Sequence, residues 1–286
     1  MLDDKVISLI EERLDEKIVA VKLVSETSPS YIFHITGKRQ YILKQAKSGF
    51  LEDEFENHKR IYQLWLDNEN NLDFVIPKPY FADRNERFML MEYIEGENLL
   101  RTLINNRDNL ASLFQKTGLG LNQYHKLVTQ SLTGTSGDIS RYKDMDDMLS
   151  KKVCRKVHKY FTEFPEECYR ILFRDFSPTN VIISADNKIY FIDIPDTFYF
   201  GPFYYDLSRF IDTTKVFGVI KNPLFISTGC SRIKRALDSF LKGYGDDINM
   251  DLLKKMQLIH RDEHVRFKKT ITPLRAFILK VLYKVV

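Results

Sequence analysis

Three oxygen-bearing side chains in one short stretch have the types and spacing that a phosphoryl-transfer site requires. Asp175 and Asn180 stand in a D-x-x-x-x-N spacing, and Asp193 ends an apolar run that follows them. Two apolar runs, residues 181–183 and 189–192, flank a turn-forming Ala-Asp-Asn-Lys sequence, which predicts a β-hairpin. Such a hairpin would bring Asp193 back beside Asn180. We therefore expect the three side chains to converge at one end of a small sheet.

Phosphoryl transfer needs a carboxylate that positions the attacking hydroxyl group and accepts its proton. It also needs oxygen ligands for the Mg²⁺ that bridges the nucleotide phosphates. Asp175 is the candidate catalytic base, and Asn180 and Asp193 are the candidate metal ligands. Asp and Asn also populate ordinary loops, so the D-x-x-x-x-N spacing is a weak signal by itself. The hairpin that ends in a second carboxylate strengthens it.

The same stretch resembles the catalytic and metal-binding loops of the aminoglycoside phosphotransferase and choline kinase family, which shares the protein-kinase-like fold. That family carries an H-G-D-x-x-x-x-N loop, an I-D strand end and a later G-D-P-x-x-D-L-A stretch. This chain has F-R-D at residues 173–175, I-D at 192–193 and G-P-F-Y-Y-D-L at 201–207. Phe173 replaces the family's histidine, and we expect it to prop the loop by packing. If it does not, the protein would be less active or inactive.

The resemblance also implies that Asp206 supports the backbone of the catalytic loop, although an aspartate at a helix start would serve equally well as an N-cap. His125 lies in a stretch similar to the family's L-x-x-L-H helix end. We expect His125 to be a packed structural residue rather than a catalyst.

Lys44, in a strand predicted at residues 40–45, is placed like the family's lysine that contacts the α- and β-phosphates. Such a lysine needs an acidic partner on the next helix, which the apolar pattern predicts at residues 51–66. Glu52, Glu54 and Glu56 compete for this role, and position along the helix favours Glu56.

The turn at residues 25–30 lies between two predicted strands, where kinases cover the nucleotide phosphates, and here it lacks glycine. Ser28 and Ser30 are expected to bind phosphate through their hydroxyl and nearby N–H groups. A plain serine-rich turn would need no function. Farther on, M-E-Y-I-E-G at residues 91–96 resembles the family's hinge between lobes. The resemblance implies that backbone groups of Glu92, Tyr93 and Ile94 bind the adenine edge.

The expected fold is α+β, bilobal and protein-kinase-like. Residues 1–95 would form a small N-terminal, nucleotide-binding lobe with an antiparallel sheet, and residues 96–286 a larger, mostly helical C-terminal lobe that carries the catalytic and acceptor sites. The apolar pattern also predicts a helix at residues 2–17 and irregular structure at 198–203. Further helices are predicted at residues 150–161, 231–244 and 250–259.

Composition sets limits on partners and location. The net charge of +4 over 286 residues does not suggest a nucleic-acid-binding protein, and the three cysteines lack a C-x-x-C pair. Neither a signal peptide nor an apolar run of membrane-spanning length is recognisable, so we expect a cytoplasmic protein. The tail, residues 266–286, predicts a basic amphipathic helix. This helix would contact the inner membrane face peripherally or dock on the larger lobe.

The sequence favours an ATP-dependent, Mg²⁺-dependent phosphotransferase. Its acceptor would be a small-molecule hydroxyl group on a sugar, amino sugar, amino alcohol or envelope glycan, an acceptor class implied by the resemblance alone. The alternative is a non-catalytic, kinase-like nucleotide-binding module, because Phe173 and the glycine-free turn depart from the family. A protein kinase is disfavoured, since neither D-F-G nor A-P-E follows Asp193.

Overall fold

A computed structural model describes residues 2–27, 29–49, 51–105, 108–132, 140–141, 163–221, 230–245 and 248–266. The chain forms two compact units. Unit 1 comprises Met1–Asn71, Val75–Glu95 and Tyr190–Thr197, and unit 2 comprises Leu72–Phe74, Gly96–Ile189 and Phe198–Val286. One division falls at Glu95, where the sequence places the lobe boundary. The return of Tyr190–Thr197 to unit 1 was not predicted.

Unit 1 contains a five-stranded antiparallel sheet in the order β1-β2-β3-β5-β4. Side chains alternate between the two faces of a strand, so Tyr41 and Leu43 share the buried face with their neighbours on β2 and β5, whereas Lys44 lies on the opposite face. The strands are β1 (Ala20–Glu26), β2 (Ser30–Thr36), β3 (Gln40–Ala46), β4 (Pro79–Asp83) and β5 (Phe88–Glu92).

Two helices complete unit 1. Helix α1 (Asp4–Leu14) packs the buried Val6 and Ile10 onto the apolar sheet face and is N-capped by the Asp3 side chain. It ends earlier than the predicted residue 17, because Asp15 adopts a left-handed conformation with φ of 51°. Helix α2 (Glu52–Leu66) is close to its predicted range and packs against β4.

Unit 2 is mostly helical. Helix α4 packs closely on α6, because Gly118 meets the backbone of Phe240 and Gly243 meets the backbone of Gln115. A Cβ atom at either glycine would overlap the facing main chain, so this helix contact requires both. The helices are α3 (Leu99–Asn105), α4 (Leu110–Leu132), α5 (Tyr204–Lys221), α6 (Cys230–Tyr244) and α7 (Met250–Arg266).

Short strands of unit 2 flank the catalytic loop. Strand β6 pairs antiparallel with β9, and β11 pairs antiparallel with β8 and parallel with β7. The prediction of irregular structure at residues 198–203 is therefore wrong, because cross-strand pairing of Tyr199 and Phe200 with β8 makes this segment a strand. The strands are β6 (Gly96–Asn98), β7 (Ser140–Arg141), β8 (Tyr169–Leu172), β9 (Val181–Ser184) and β11 (Tyr199–Pro202). Strand β10 (Ile189–Phe191) follows β9 in the chain, and of its residues only Ile189 belongs to unit 2.

The α+β class, with an antiparallel sheet in the N-terminal unit and helices in the C-terminal one, is confirmed. The helix predicted at residues 150–161 and the tail beyond Arg266 lie outside the described residues, as does Ser28. Among the helices that the structure describes, none has the length and apolar character needed to cross a membrane.

Candidate active site

The loop between β8 and β9 in unit 2 holds Asp175 and Asn180. The Asn180 side-chain Nδ2 donates a hydrogen bond to the main-chain oxygen of Asp175 at 3.0 Å, and the Asn180 N–H donates to the oxygen of Ser177 at 3.0 Å. These contacts close the loop on itself. The Asp175 side chain remains 56% accessible, so its carboxylate is open to a ligand.

Asp206, in the first turn of α5, fixes the start of this loop. Its Oδ2 accepts the N–H of Phe173 at 2.7 Å, and its Oδ1 accepts the N–H of Arg174 at 2.7 Å. The expected support role is confirmed. Asp206 is not the N-cap of α5, because the helix begins at Tyr204 and the carboxylate binds the loop instead.

His125 holds the Asp206 carboxylate from the other side. Its Nε2 lies 2.9 Å from Asp206 Oδ2, and its Nδ1 lies 2.8 Å from the Tyr244 hydroxyl oxygen. A carboxylate only accepts, so Nε2 donates its proton to Asp206, and Nδ1 lies within hydrogen-bond distance of the tyrosine hydroxyl. His125 is buried, as expected for a structural residue, and this chain of contacts ties α4 and α6 to the loop.

Phe173 packs as the sequence analysis expects. Its side chain is fully buried, with ring centroids 5.3 Å from those of both Tyr124 and Phe176. The next residue, Arg174, has a left-handed backbone with φ of 70°, a conformation that the family's glycine adopts freely. Its guanidinium lies over the Tyr199 ring, 4.1 Å from the centroid, and this contact offsets part of the conformational cost.

Arg209 is a site residue that the sequence analysis missed. From α5, its Nη2 and Nε donate to Oδ1 of Asp175 at 2.8 and 3.2 Å. Arg209 follows Asp206 by three positions, so both side chains project from one side of the helix. The three-residue spacing from Asp206 could have indicated from the sequence that Arg209 lies near the loop, but the sequence analysis did not use it.

In unit 1, Lys44 joins two carboxylates. Its Nζ lies 2.6 Å from Glu54 Oε1 and 2.8 Å from Asp193 Oδ1. The prediction of Glu56 as the lysine's partner is wrong. Glu56 is exposed and instead pairs with Lys59 at 3.1 Å, because two residues along a helix turn a side chain about 200° away from Glu54.

The charge of Lys44 depends on this pairing. Burial of the ammonium group acts to lower the Lys44 pKa, but the carboxylates of Asp193 and Glu54 outweigh it and raise the pKa above its usual value. Burial raises the pKa of Glu54, and the attraction of Lys44 works against that rise. Lys44 is therefore a stable cation in the folded protein.

Helix α2 also holds the segment that follows Asp193. Asn57 Nδ2 donates to the main-chain oxygens of Pro195 at 3.1 Å and Asp196 at 2.8 Å. Asp193 itself has a left-handed backbone with φ of 63°. Asn57 lies three residues after Glu54, so one side of α2 positions both the lysine and the metal-ligand candidate.

His58, the next residue of α2, is buried, and its Nε2 lies 2.7 Å from the main-chain oxygen of Pro77. Burial lowers the pKa of His58 to about 4. The ring is therefore neutral near pH 7 and donates its Nε2 proton to the carbonyl oxygen.

The predicted adenine-binding segment ends β5. The N–H of Glu92 donates to the Lys78 oxygen at 2.9 Å, and that of Tyr93 donates to the Gln40 oxygen at 3.3 Å. These two N–H groups serve the sheet.

In the predicted phosphate-binding turn, Ser30 is buried and its hydroxyl lies 3.1 Å from that of Thr27. The Thr27 N–H also donates to the Ser30 main-chain oxygen at 2.9 Å. Ser30 therefore closes the turn, and its hydroxyl is already engaged.

The structure thus brings Asp175 together with Asn180 in unit 2, and Asp193 together with Lys44 and Glu54 in unit 1. Convergence of all three predicted side chains stays a prediction. Asp193 Oδ2 and Asn180 Oδ1 are hard oxygen donors of the kind that Mg²⁺ prefers, so the residues fit the ion chemically. Among the described residues, no group of three or more His, Cys, Asp and Glu side chains gathers as a metal site.

Comparisons with known proteins identify a family and a fold for this chain. A model of the phosphotransferase enzyme family (APH) matches residues 20–228 of the chain. A search of curated protein sequences found no match. The fold is similar to that of macrolide 2'-phosphotransferase MphH from Brachybacterium faecium, with 11% identity, a TM-score of 0.58 and 98% of each chain covered.

Two further solved structures share the fold. A macrolide 2'-phosphotransferase of type I has 10% identity and a TM-score of 0.59, with 97% of this chain and 95% of that chain covered. The streptomycin–ATP ternary complex of APH(2'')-IIa has 16% identity and a TM-score of 0.51, with 88% and 99% covered.

Proposed function

The chain belongs to the phosphotransferase enzyme family, and on that premise we propose that it transfers the γ-phosphate of ATP to a hydroxyl group of a small molecule. The acceptor is a sugar, an amino sugar, an amino alcohol or an envelope glycan. The solved structures that share the fold include a macrolide 2'-phosphotransferase and APH(2'')-IIa in complex with streptomycin and ATP, which supports a small-molecule acceptor. Use of ATP suits a cytoplasmic reaction.

One observation carries the proposal. The Asp175 carboxylate is more than half accessible, yet its loop is tied down by Asp206 through the N–H groups of Phe173 and Arg174. Catalysis by positioning requires an accessible base on a fixed backbone. A module that only binds nucleotide has no need for such a base.

Each candidate residue takes a role in this reaction. Asp175 orients the acceptor hydroxyl and takes its proton, while the hydroxyl oxygen bonds to the γ-phosphorus. The bond from that phosphorus to the bridging oxygen breaks, and ADP leaves. Lys44 steadies the α- and β-phosphates, with Glu54 holding the lysine in place.

Asn180 and Asp193 would hold Mg²⁺, which supplies neutralisation of phosphate charge when bound. Lys44 already binds Oδ1 of Asp193, so Asp193 would serve both the lysine and the ion. Backbone groups of residues 92–94 would contact the base.

The test is Mg²⁺-dependent transfer from labelled ATP to a panel of aminoglycosides, choline-like alcohols, sugars and envelope glycans. Asp175→Asn should lose transfer by about 100-fold or more while keeping nucleotide affinity. Asp193→Ala should weaken Mg-nucleotide binding as well. Near-normal turnover in Asp175→Asn would show that the base is assigned wrongly. Absence of any nucleotide binding by the unmodified protein would favour the non-catalytic module.

A further inference from the structure

We propose that Arg209 makes the acceptor site selective for hydroxyl compounds that carry a phosphate or carboxylate group. The inference rests on the proposed function and narrows its acceptor class. It starts from a contact that the transfer reaction does not itself demand, a guanidinium bound to the catalytic carboxylate.

Arg209 occupies one of the two carboxylate oxygens of Asp175. Both Nη2 and Nε donate to Oδ1, at 2.8 and 3.2 Å, and Oδ2 remains for the acceptor hydroxyl. The Arg209 side chain is 28% accessible, so a ligand bound at Asp175 also reaches the guanidinium.

Contacts between α5 and the loop fix the position of the guanidinium. Asp206, one helical turn earlier on α5, binds the backbone of Phe173 and Arg174, and Arg209 binds the side chain of the next loop residue, Asp175. Successive turns of one helix thus contact successive loop residues. The positive charge is therefore placed at the base by the fold.

The charges near the base favour an anionic ligand. The described side chains of this loop and of α5 include three positive charges, Arg174, Arg209 and Lys215, and three negative charges, Asp175, Asp206 and Asp212. Asp212 is buried, and Asp175 is the accessible carboxylate. The carboxylate of Asp206 is buried and engaged by two N–H groups and His125, so it faces no ligand. A primary or quaternary amine at Asp175 would meet the guanidinium at close range, and like charges repel.

An arginine at this point suits phosphate or carboxylate. Its planar fork of donors matches the oxygens of these groups, and such charge-assisted hydrogen bonds are the strong ones. An acceptor would place its hydroxyl at Asp175 Oδ2 and its anionic group against Arg209. The anion would then orient the hydroxyl that attacks the γ-phosphorus, and the hydroxyl proton would pass to Asp175 as before.

The first test compares kcat/KM for glucose with the values for glucose 6-phosphate, glucuronate and glucosamine, which differ mainly in charge. We expect the phosphate and carboxylate forms to exceed glucosamine by about tenfold or more. Arg209→Gln should reduce this ratio by about tenfold, chiefly through KM, and Arg209→Lys, which keeps the charge without the fork of donors, should give an intermediate ratio. Lys215→Gln removes a like charge elsewhere on α5 and should leave the ratio unchanged.

The second test needs no turnover. Inorganic phosphate is titrated by calorimetry in the presence of Mg²⁺ and a non-hydrolysable ATP analogue, so that the α-, β- and γ-phosphate positions are all occupied. The unmodified protein should bind phosphate about tenfold more tightly than Arg209→Gln, and Arg209→Lys should have an intermediate affinity.

The results separate the two proposals. A wild-type preference for glucosamine, or equal phosphate affinity in the unmodified protein and Arg209→Gln, would overturn the inference even if transfer is observed. If the unmodified protein neither transfers phosphate nor binds nucleotide, the proposed function is refuted. The phosphate titration would still decide whether Arg209 forms an anion site.

Discussion

His125 and Asp206 form a buried hydrogen bond, with 2.9 Å between Nε2 and Oδ2 and both side chains almost inaccessible to solvent. The same carboxylate accepts hydrogen bonds from two backbone N–H groups at the start of the loop that holds Asp175. Three donors from two segments of the chain therefore converge on one side chain. The position of Asp175, the proposed base, therefore depends on a side chain that is itself buried.

Replacing Asp206 should damage stability and turnover together. Asp206→Ala would leave the N–H groups of Phe173 and Arg174 buried without an acceptor, which should cost about 3 kcal/mol or more of unfolding free energy. Displacement of Asp175 should lower kcat by about 100-fold. Urea unfolding and steady-state kinetics measure the two effects. Asp206→Asn, which keeps one acceptor oxygen, should be intermediate, and wild-type kcat in Asp206→Ala would contradict the support role.

A matched pair of substitutions separates Glu54 from Glu56. Glu54→Gln removes a charged partner of the buried Lys44 and should lower kcat/KM for Mg-ATP by about tenfold. Glu56→Gln breaks only an exposed pair with Lys59 and should change kcat/KM by less than about twofold. Equal losses in both variants would show that the Lys44–Glu54 contact has no part in nucleotide use.

The hydroxyl of Tyr124 is buried and finds no hydrogen-bond partner within the described part of the chain. Burial raises its pKa well above the usual value, so the group stays neutral. Tyr124→Phe removes an unsatisfied polar atom and should raise the unfolding free energy by about 1 kcal/mol.

The control for this stabilisation is Tyr204, whose hydroxyl accepts the N–H of Asn249 at 3.0 Å. Tyr204→Phe should lower the unfolding free energy by about 1 kcal/mol. If the buried hydroxyl of Tyr124 destabilises the fold, thermal and chemical unfolding should show that the two substitutions change the unfolding free energy in opposite directions. Destabilisation by both substitutions would show that the Tyr124 hydroxyl is not destabilising.

His58 should make the protein less stable as the pH falls. Its pKa drops from 6.5 to about 4 on folding, so the unfolded chain takes up a proton that the folded chain does not. Above pH 6.5 the neutral ring makes its full contribution to the free energy of unfolding, and this contribution is lost as the pH falls towards 4. At pH 5 the loss is about 2 kcal/mol. Urea unfolding at pH 7 and pH 5 should show this loss, and His58→Gln should reduce it. An unchanged loss in His58→Gln would exclude His58 as its source.

Local patterns predicted much of the site. The turn between β9 and β10 forms as expected, because Asn187 takes the left-handed conformation that Asn tolerates, with φ of 60°. Asp175 and Asn180 meet through a short loop, and Phe173 packs against Phe176 within it. These features involve neighbours in the chain, so residue type and spacing are enough to predict them.

Long-range contacts were beyond such patterns. The choice of Glu54 over Glu56 depends on how α2 is rotated, and burial of Phe55 and Ile61 against the rest of unit 1 sets that rotation. The strand at Tyr199–Pro202 exists because β8 pairs with it. Neither outcome is encoded in the periodicity of the segment itself.

The sequence by itself determined which residues could carry the chemistry, because Asp175, Asn180 and Asp193 keep the family's spacing within one stretch. Only the tertiary structure decided their partners. Arg209 reaches Asp175 across 34 positions of the chain, and Lys44 reaches Asp193 across 149. Such pairs form because packing of helices and strands brings distant side chains together, and this packing is a property of the whole core.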